Sequence, residues 1–325
     1  MKDYSESVPY NPTEFADNKS ITKKEKKSKD EAIENADSST IEIKPVLIPV
    51  SVFSNEGKLV QGLQKTDFKV FVNEQEQEFS LVETKDEPLN IILLIDTSAS
   101  TTYKIEEIQN YALSIVGNLK PQDRILVIEF NMNVKVLSEL TTDRQKIEKV
   151  IRKINFGDGT SLYEAVSVLF QKHISTIEGR KAVILLTDGV DTTSINSTYV
   201  KSLVEAEKYD APIFPIYFDT LEINKNVAIS KDEYKLGKQY LNDLVSLSGG
   251  RAIDAKNSSN DQKNILGYIS EELRLKYYLK IQPSEPIQIG QRKQIKVRVN
   301  RPDLFVLARG SYIVGRKKTE SLGKK

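Results

Sequence analysis

Ile91-Ile92-Leu93-Leu94-Ile95-Asp96-Thr97-Ser98-Ala99-Ser100 decides the fold. Five uninterrupted aliphatic residues, three of them β-branched, suit a strand covered on both faces, as in a parallel sheet under helices. The strand ends on a carboxylate followed by two hydroxyls, at the edge where open α/β folds bind ligands. Lys181-Ala182-Val183-Ile184-Leu185-Leu186-Thr187-Asp188-Gly189 repeats the pattern of an apolar strand closed by an aspartate, and Gly157-Asp158-Gly159-Thr160-Ser161 offers a further hydroxyl. Three loops are therefore expected to converge on one cation at the carboxyl edge of a sheet.

Outward from this centre, strands alternate with helices. Strands are predicted at 91–95, 124–130, 182–186 and 213–218, with a short one near Ala252. Helices are expected at 103–118, 142–154, 161–173, 198–208, 233–247 and 260–275. That alternation predicts a doubly wound, mostly parallel sheet with helices on both faces. The pair 124–130 and 133–137 reads as one antiparallel edge, and Pro215 inside an apolar run demotes its strand toward an edge or bulge.

The flanks change period to two. Ile48, Val50 and Val52 alternate, then Phe68, Val70 and Val72 after an Asn55-Glu56-Gly57 turn, with Phe79, Leu81 and Glu83 suggesting a third strand. These three read as a small antiparallel sheet too short to close a core. Residues 277–281, 295–299 and 304–307 are again strand-like, so the two ends are expected to meet as half-sheets of a split, small all-β sandwich. The expected division is a disordered polar tether at 1–40, a sandwich of 41–88 with 277–315, a central α/β unit at 89–276 and a basic tail at 316–325. The tether carries the charge run Lys23-Lys24-Glu25-Lys26-Lys27-Ser28-Lys29-Asp30-Glu31 and is too polar to bury a core; a solvated helix over 22–35 is the alternative.

Composition narrows the chemistry. The chain has 325 residues, 39% hydrophobic and 29% charged, with 47 lysines and arginines against 46 aspartates and glutamates. Such a balance provides no global field for nucleic acid. There is no cysteine, hence no disulfide, thiol nucleophile or zinc-thiolate site, and His173 is the lone histidine. No apolar run approaches the roughly 20 residues that span a bilayer, and Met1-Lys2-Asp3-Tyr4-Ser5-Glu6 lacks a signal-peptide core.

Asp96-x-Ser98-x-Ser100, Thr160 in a Gly-x-Gly-Thr-Ser turn, and Asp188 in Thr-Asp-Gly resemble the metal-ion-dependent adhesion site of von Willebrand factor A domains, the integrin I-domain fold. All five positions are filled in the family's order. Gly62-Leu63-Gln64-Lys65-Thr66-Asp67-Phe68-Lys69-Val70 and Arg301-Pro302-Asp303-Leu304-Phe305-Val306-Leu307-Ala308-Arg309-Gly310-Ser311-Tyr312 resemble a bacterial VWFA-related family often labelled Acidobacterial, whose flanking sandwich is Ig-like. Resemblance covers roughly residues 41–315. Thr101 and Thr102 stand where some integrin domains carry an acidic pair, so the adjacent calcium site is not expected.

Magnesium prefers six hard oxygens in a tight octahedron. Asp96 and Asp188 would supply charge, Ser98, Ser100 and Thr160 neutral oxygen, leaving a near-neutral site with an open position that a partner's glutamate or aspartate can fill. The resemblance implies that mode, with Mg2+ or alternatively Mn2+ or Ca2+, a protein ligand, no enzymatic activity, a last helix that shifts between two states, and display at a cell envelope after a targeting segment absent from this chain; the alternative location is cytoplasmic.

Each residue also has a plainer reading. Ser98 and Ser100 can cap the helix that follows, Asp188-Gly189 can be a turn, and Asp158, Glu164 and Asp191 read as helix-start or solvated acids. His173 reads as a surface residue near a helix C-terminus. Two other functions compete with adhesion: Mg-dependent phosphoryl transfer on Asp96, and a scaffold with an idle metal site. Phosphoryl transfer would want a second carboxylate where Ser98 stands and a phosphate-holding lysine on a later loop.

Overall fold

The computed structural model describes residues 5–6, 43–82, 87–221, 229–255, 259–283 and 288–315, the side chains of 5–6 and 259–266 excepted. The expected tether, apart from residues 5–6, and the basic tail lie outside the described residues.

The first strands in chain order are β1 (Ser5–Glu6), β2 (Val46–Ser54), β3 (Phe68–Val72), β4 (Gln75–Gln77) and β5 (Phe79–Val82). The central unit follows: β6 (Asn90–Asp96), α1 (Ile105–Gly117), β7 (Arg124–Phe130), β8 (Val134–Thr141), α2 (Arg144–Ile151), α3 (Leu162–Val168), β9 (Lys181–Thr187), α4 (Tyr199–Glu207), β10 (Ile213–Tyr217), α5 (Lys231–Ser248), β11 (Ile253–Asp254) and α6 (Ser259–Leu275). The chain closes with β12 (Tyr277–Ile281), β13 (Arg292–Val299), β14 (Leu304–Ala308) and β15 (Ser311–Ile313).

The central sheet has six strands in the order β11-β10-β9-β6-β7-β8, parallel except for β8, which runs antiparallel to β7 at one edge. β6 lies in the middle, and its pleat feeds two cores. Leu89, Ile91, Leu93 and Ile95 pack toward α1, α2 and α6; Ile92 and Leu94 pack toward α3, α4 and α5. All of its residues are buried, which is why it shows no alternation of polar and apolar residues. The helix expected over 161–173 is α-helical only to Val168, then widens into a π-turn at Leu169–His173. His173 stands half-buried at its end.

The flanking strands differ from expectation in pairing. β2 is hydrogen-bonded to β12 and β14, β5 to β12, and β3 to β13 and β4, so the three expected strands, β2, β3 and β5, do not pair with one another. Two antiparallel sheets result, β14-β2-β12-β5 and β1-β13-β3-β4, with β15 beside β13. Both interleave strands from the two chain ends. The reason is burial: Ile48, Val50, Val52, Val70, Leu279, Ile295, Val297 and Val299 share one core, and three short N-terminal strands alone could not enclose it. Pro215 also departs from expectation. Its strand is fully buried and pairs with β9 along its whole length; on the other side β11 pairs only from Ile216, so the proline lies in the last full-length strand rather than at an open edge.

Buried polar contacts fasten the two units. Lys276 donates to Glu272 at 3.1 Å, to Ser51 at 2.6 Å and to the Gly249 carbonyl at 3.1 Å. Arg309 meets Asp210 at 2.7 Å, and Arg292 meets Glu207 at 2.6 Å.

Candidate functional site

At the carboxyl end of β6 the chain must turn out of a buried strand, and Asp96 does so with its carboxylate inside. One oxygen accepts the Ser98 amide at 3.0 Å, and the other accepts the Thr187 hydroxyl at 2.6 Å. Asp188, one residue beyond the end of β9, accepts the Val190 amide at 3.2 Å and the Thr220 hydroxyl at 2.8 Å, and it is also bonded by Ser100. Ser98 and Ser100 stand 3.1 Å apart, hydroxyl to hydroxyl. Four of the five expected residues are thus joined through side chains.

Thr160 joins through its loop. The Gly157 amide donates to the Thr97 carbonyl at 3.0 Å, the Ser161 amide to the Asn131 carbonyl at 2.8 Å, and the amides of Thr192 and Thr193 to the Thr160 carbonyl at 2.8 and 3.0 Å. Gly159 adopts φ +66°, a left-handed conformation that favours glycine. The loop is therefore tied to the ends of β6 and β7 and to the segment after Asp188, with Thr160 itself 2% exposed.

The capping reading of the serines fails. Ser98 makes no side-chain cap to the short 3-10 turn it precedes, because its hydroxyl faces Ser100. Thr101 ties that turn instead, donating to the carbonyls of Ser98 and Asp96. Asp191 behaves as a helix-start acid, accepting the Tyr163 amide at 2.9 Å, and Glu164 accepts the Asn196 amide at 3.0 Å.

Electrostatics single out the aspartate pair. Both are fully buried, and among the described residues neither has an ion-pair partner in lysine or arginine. Burial first, and the neighbouring Asp188 charge second, push the Asp96 carboxyl up to about 7 against the hydrogen bonds from Ser98 and Thr187. Burial likewise raises Asp188, opposed by Ser100, Thr220 and Val190. Two buried carboxylates held beside hydroxyls, with no lysine or arginine paired to either among the described residues, have the oxygen donors that suit a hard divalent ion. Among the described residues no group of three or more His, Cys, Asp or Glu gathers at one point, so the set is rich in hydroxyls and low in charge.

Residues 91–190 match the sequence pattern of the family described as von Willebrand factor type A domain. That segment is a VWA domain. VWA domains are in general protein-interaction domains, and their relatives are generally non-enzymatic. A curated but uncharacterized protein of Synechocystis sp. is 28% identical over 135 residues, 40% of this chain and 32% of its own; the chain thus spans about a third of that relative's length. Among solved structures, BatB from Bacteroides thetaiotaomicron is 18% identical, covering 57% of this chain and 98% of its own, with TM-score 0.45. A von Willebrand factor type A protein from Catenulispora acidiphila is 13% identical, covering 86% and 74%, with TM-score 0.45.

Sequence reasoning missed Thr187, Thr220 and Tyr234. Thr187 was readable, since it directly precedes Asp188 at the end of a buried strand. Thr220 and Tyr234 carry no local signal, because their proximity to Asp188 exists only after β9, β10 and α5 pack. Among the described residues, no helix is long and apolar enough to cross a membrane.

Proposed function

We propose that the VWA domain is a metal-dependent adhesion module that holds Mg2+, with Mn2+ or Ca2+ as alternatives, on Asp96, Ser98, Ser100, Thr160 and Asp188. The ion would neutralise the two carboxylates and offer an open position to a glutamate or aspartate of a protein partner. The observation that carries this reading is the pair of fully buried aspartates, without a basic partner among the described residues and flanked by Ser98 and Ser100. Leaving two such charges unneutralised costs free energy that a bound cation removes.

The rim supports a protein as the partner. Tyr103 in the turn after β6, Met132 after β7, Ile195 after β9 and Leu236 at the start of α5 are 67%, 53%, 88% and 46% exposed. Large apolar side chains kept in water around one site favour a macromolecular surface over a small polar ligand. Phosphoryl transfer on Asp96 finds less support. Ser98, where a second carboxylate would be wanted, turns its hydroxyl to Ser100, and no lysine pairs with either aspartate among the described residues.

Calorimetric titration with Mg2+ and Mn2+ tests the reading. Asp96→Ala and Asp188→Ala should abolish binding while the metal-free proteins keep their melting temperature, since each substitution removes one of two repelling charges. Metal affinity unchanged from wild type in both variants refutes the site. A pull-down from source cells with and without chelator then tests the partner, which should be lost on chelation.

A further inference from the structure

Behind Asp188 lies a buried relay that ends on a helix. The Thr220 hydroxyl donates to Asp188 Oδ2 at 2.8 Å, and Thr220 Oγ1 lies 2.8 Å from the Tyr234 hydroxyl. A threonine has one hydroxyl hydrogen, and Asp188 takes it, so Tyr234 must donate to Thr220. Thr220 is 1% and Tyr234 4% exposed. The hydrogen bonds therefore run one way, from the first turn of α5 to one carboxylate oxygen.

The backbone makes the same connection. A Cβ on Gly237 would meet the Gly189 carbonyl oxygen at 2.5 Å, so α5 lies directly against the turn that follows Asp188. Gly189 adopts φ +80° there.

We propose that Thr220 and Tyr234 are positioning residues of the metal site, which hold the Asp188 carboxylate in one orientation and couple it to the amino-terminal half of α5. This rests on the metal-dependent reading above. With Oδ1 on the Val190 amide and Oδ2 on Thr220, the carboxylate has little freedom to lose when a cation arrives. Partners of this kind, one step behind the ligands, fix the orientation of the ligating groups, and their loss typically lowers metal affinity by about 10- to 100-fold. A plainer role, mere satisfaction of two buried hydroxyls, would not require that both hydrogens be directed toward an anion.

The test compares Thr220→Val, Thr220→Ser and Tyr234→Phe with wild type by calorimetric Mg2+ titration, alongside melting temperature and amide exchange of residues 231–240. Thr220→Val should weaken Mg2+ binding by about 10- to 100-fold, and Thr220→Ser, which keeps the hydroxyl, should restore it. Mg2+ should slow amide exchange in α5 of the wild type, and Tyr234→Phe should bind Mg2+ more weakly than wild type and lose that slowing while its melting temperature stays close to wild type. Should Thr220→Val unfold, Tyr234→Phe and Thr220→Ser carry the test between them. Wild-type affinity in Thr220→Val or Tyr234→Phe, or a loss in Thr220→Ser as large as in Thr220→Val, overturns the positioning role and leaves the metal reading standing. A wild type that binds neither Mg2+ nor Mn2+ overturns both.

Discussion

Gly237→Ala probes how rigidly α5 is seated on the loop that carries Asp188. The new Cβ would stand 2.5 Å from the Gly189 carbonyl oxygen, 2.7 Å from its carbon and 3.2 Å from the Val190 nitrogen. All three are backbone atoms, so no side chain can swing aside. Ordinary contact begins at 3.4 Å, so helix and loop must part by about 0.9 Å, an overpacking that costs about 1–3 kcal/mol. Helix propensity opposes it, since alanine is worth about 1 kcal/mol over glycine inside a helix. The net change is then between neutral and about 2 kcal/mol destabilising.

Gly267→Ala in α6 isolates the propensity effect. Gly267 is exposed with nothing within 4 Å of its would-be Cβ, so this variant should gain about 1 kcal/mol and melt about 2–4 °C higher. Thermal unfolding by circular dichroism, with and without Mg2+, compares the two. Gly237→Ala should melt below Gly267→Ala in both conditions and gain less from Mg2+ than wild type, because the displaced loop carries Asp188. If both alanines stabilise equally and Mg2+ adds the same increment to each, the close seating of α5 on the loop is wrong.

Three other outcomes follow from the packing. Removal of residues 277–315 should abolish amide protection in β2, which loses both neighbours, β12 and β14; persistent protection in 46–54 would contradict the interleaved sheets. Lys276→Met strands Glu272, whose remaining cation Arg251 is 41% exposed, and should cost about 3–5 kcal/mol in denaturant unfolding. Burial alone would raise the Glu272 carboxyl, but Lys276 and Arg251 overcome it and hold the group below its ordinary 4.5. A depressed folded-state value means stability that is present above pH 4.5 and lost as the pH falls through the folded-state value. Acid unfolding of Glu272→Gln should therefore be less steep below pH 4.5 than that of wild type.

Much of the molecule was legible in residue order. Strand ends closed by Asp96 and Asp188, hydroxyls at fixed spacing after one of them, and a Gly-x-Gly-Thr-Ser turn are local patterns, and a doubly wound sheet carries such loops to one edge whatever the details of packing. The alternation of period two in Ile48 to Val52 and Ile295 to Val299 likewise announced strands with one buried face. Capping is the plainer reading of Ser98 and Ser100 taken singly, but in the fold Ser98 makes no side-chain cap and the two hydroxyls lie against each other beside Asp188.

Strand partners and the support behind Asp188 were decided only in three dimensions. A β-pattern tells which face of β2 is apolar and says nothing about whether its neighbour is β3 or β12, since main-chain hydrogen bonds are the same for every sequence; the shared core of Ile48, Val70, Leu279 and Val297 made that choice. Thr220 and Tyr234 reach Asp188 across 32 and 46 positions of chain, a distance over which no periodicity survives. Acids and hydroxyls at strand ends announce themselves by their chemistry, whereas the hydroxyls of Thr220 and Tyr234 are ordinary groups in the sequence and stand beside Asp188 only because folding places them there.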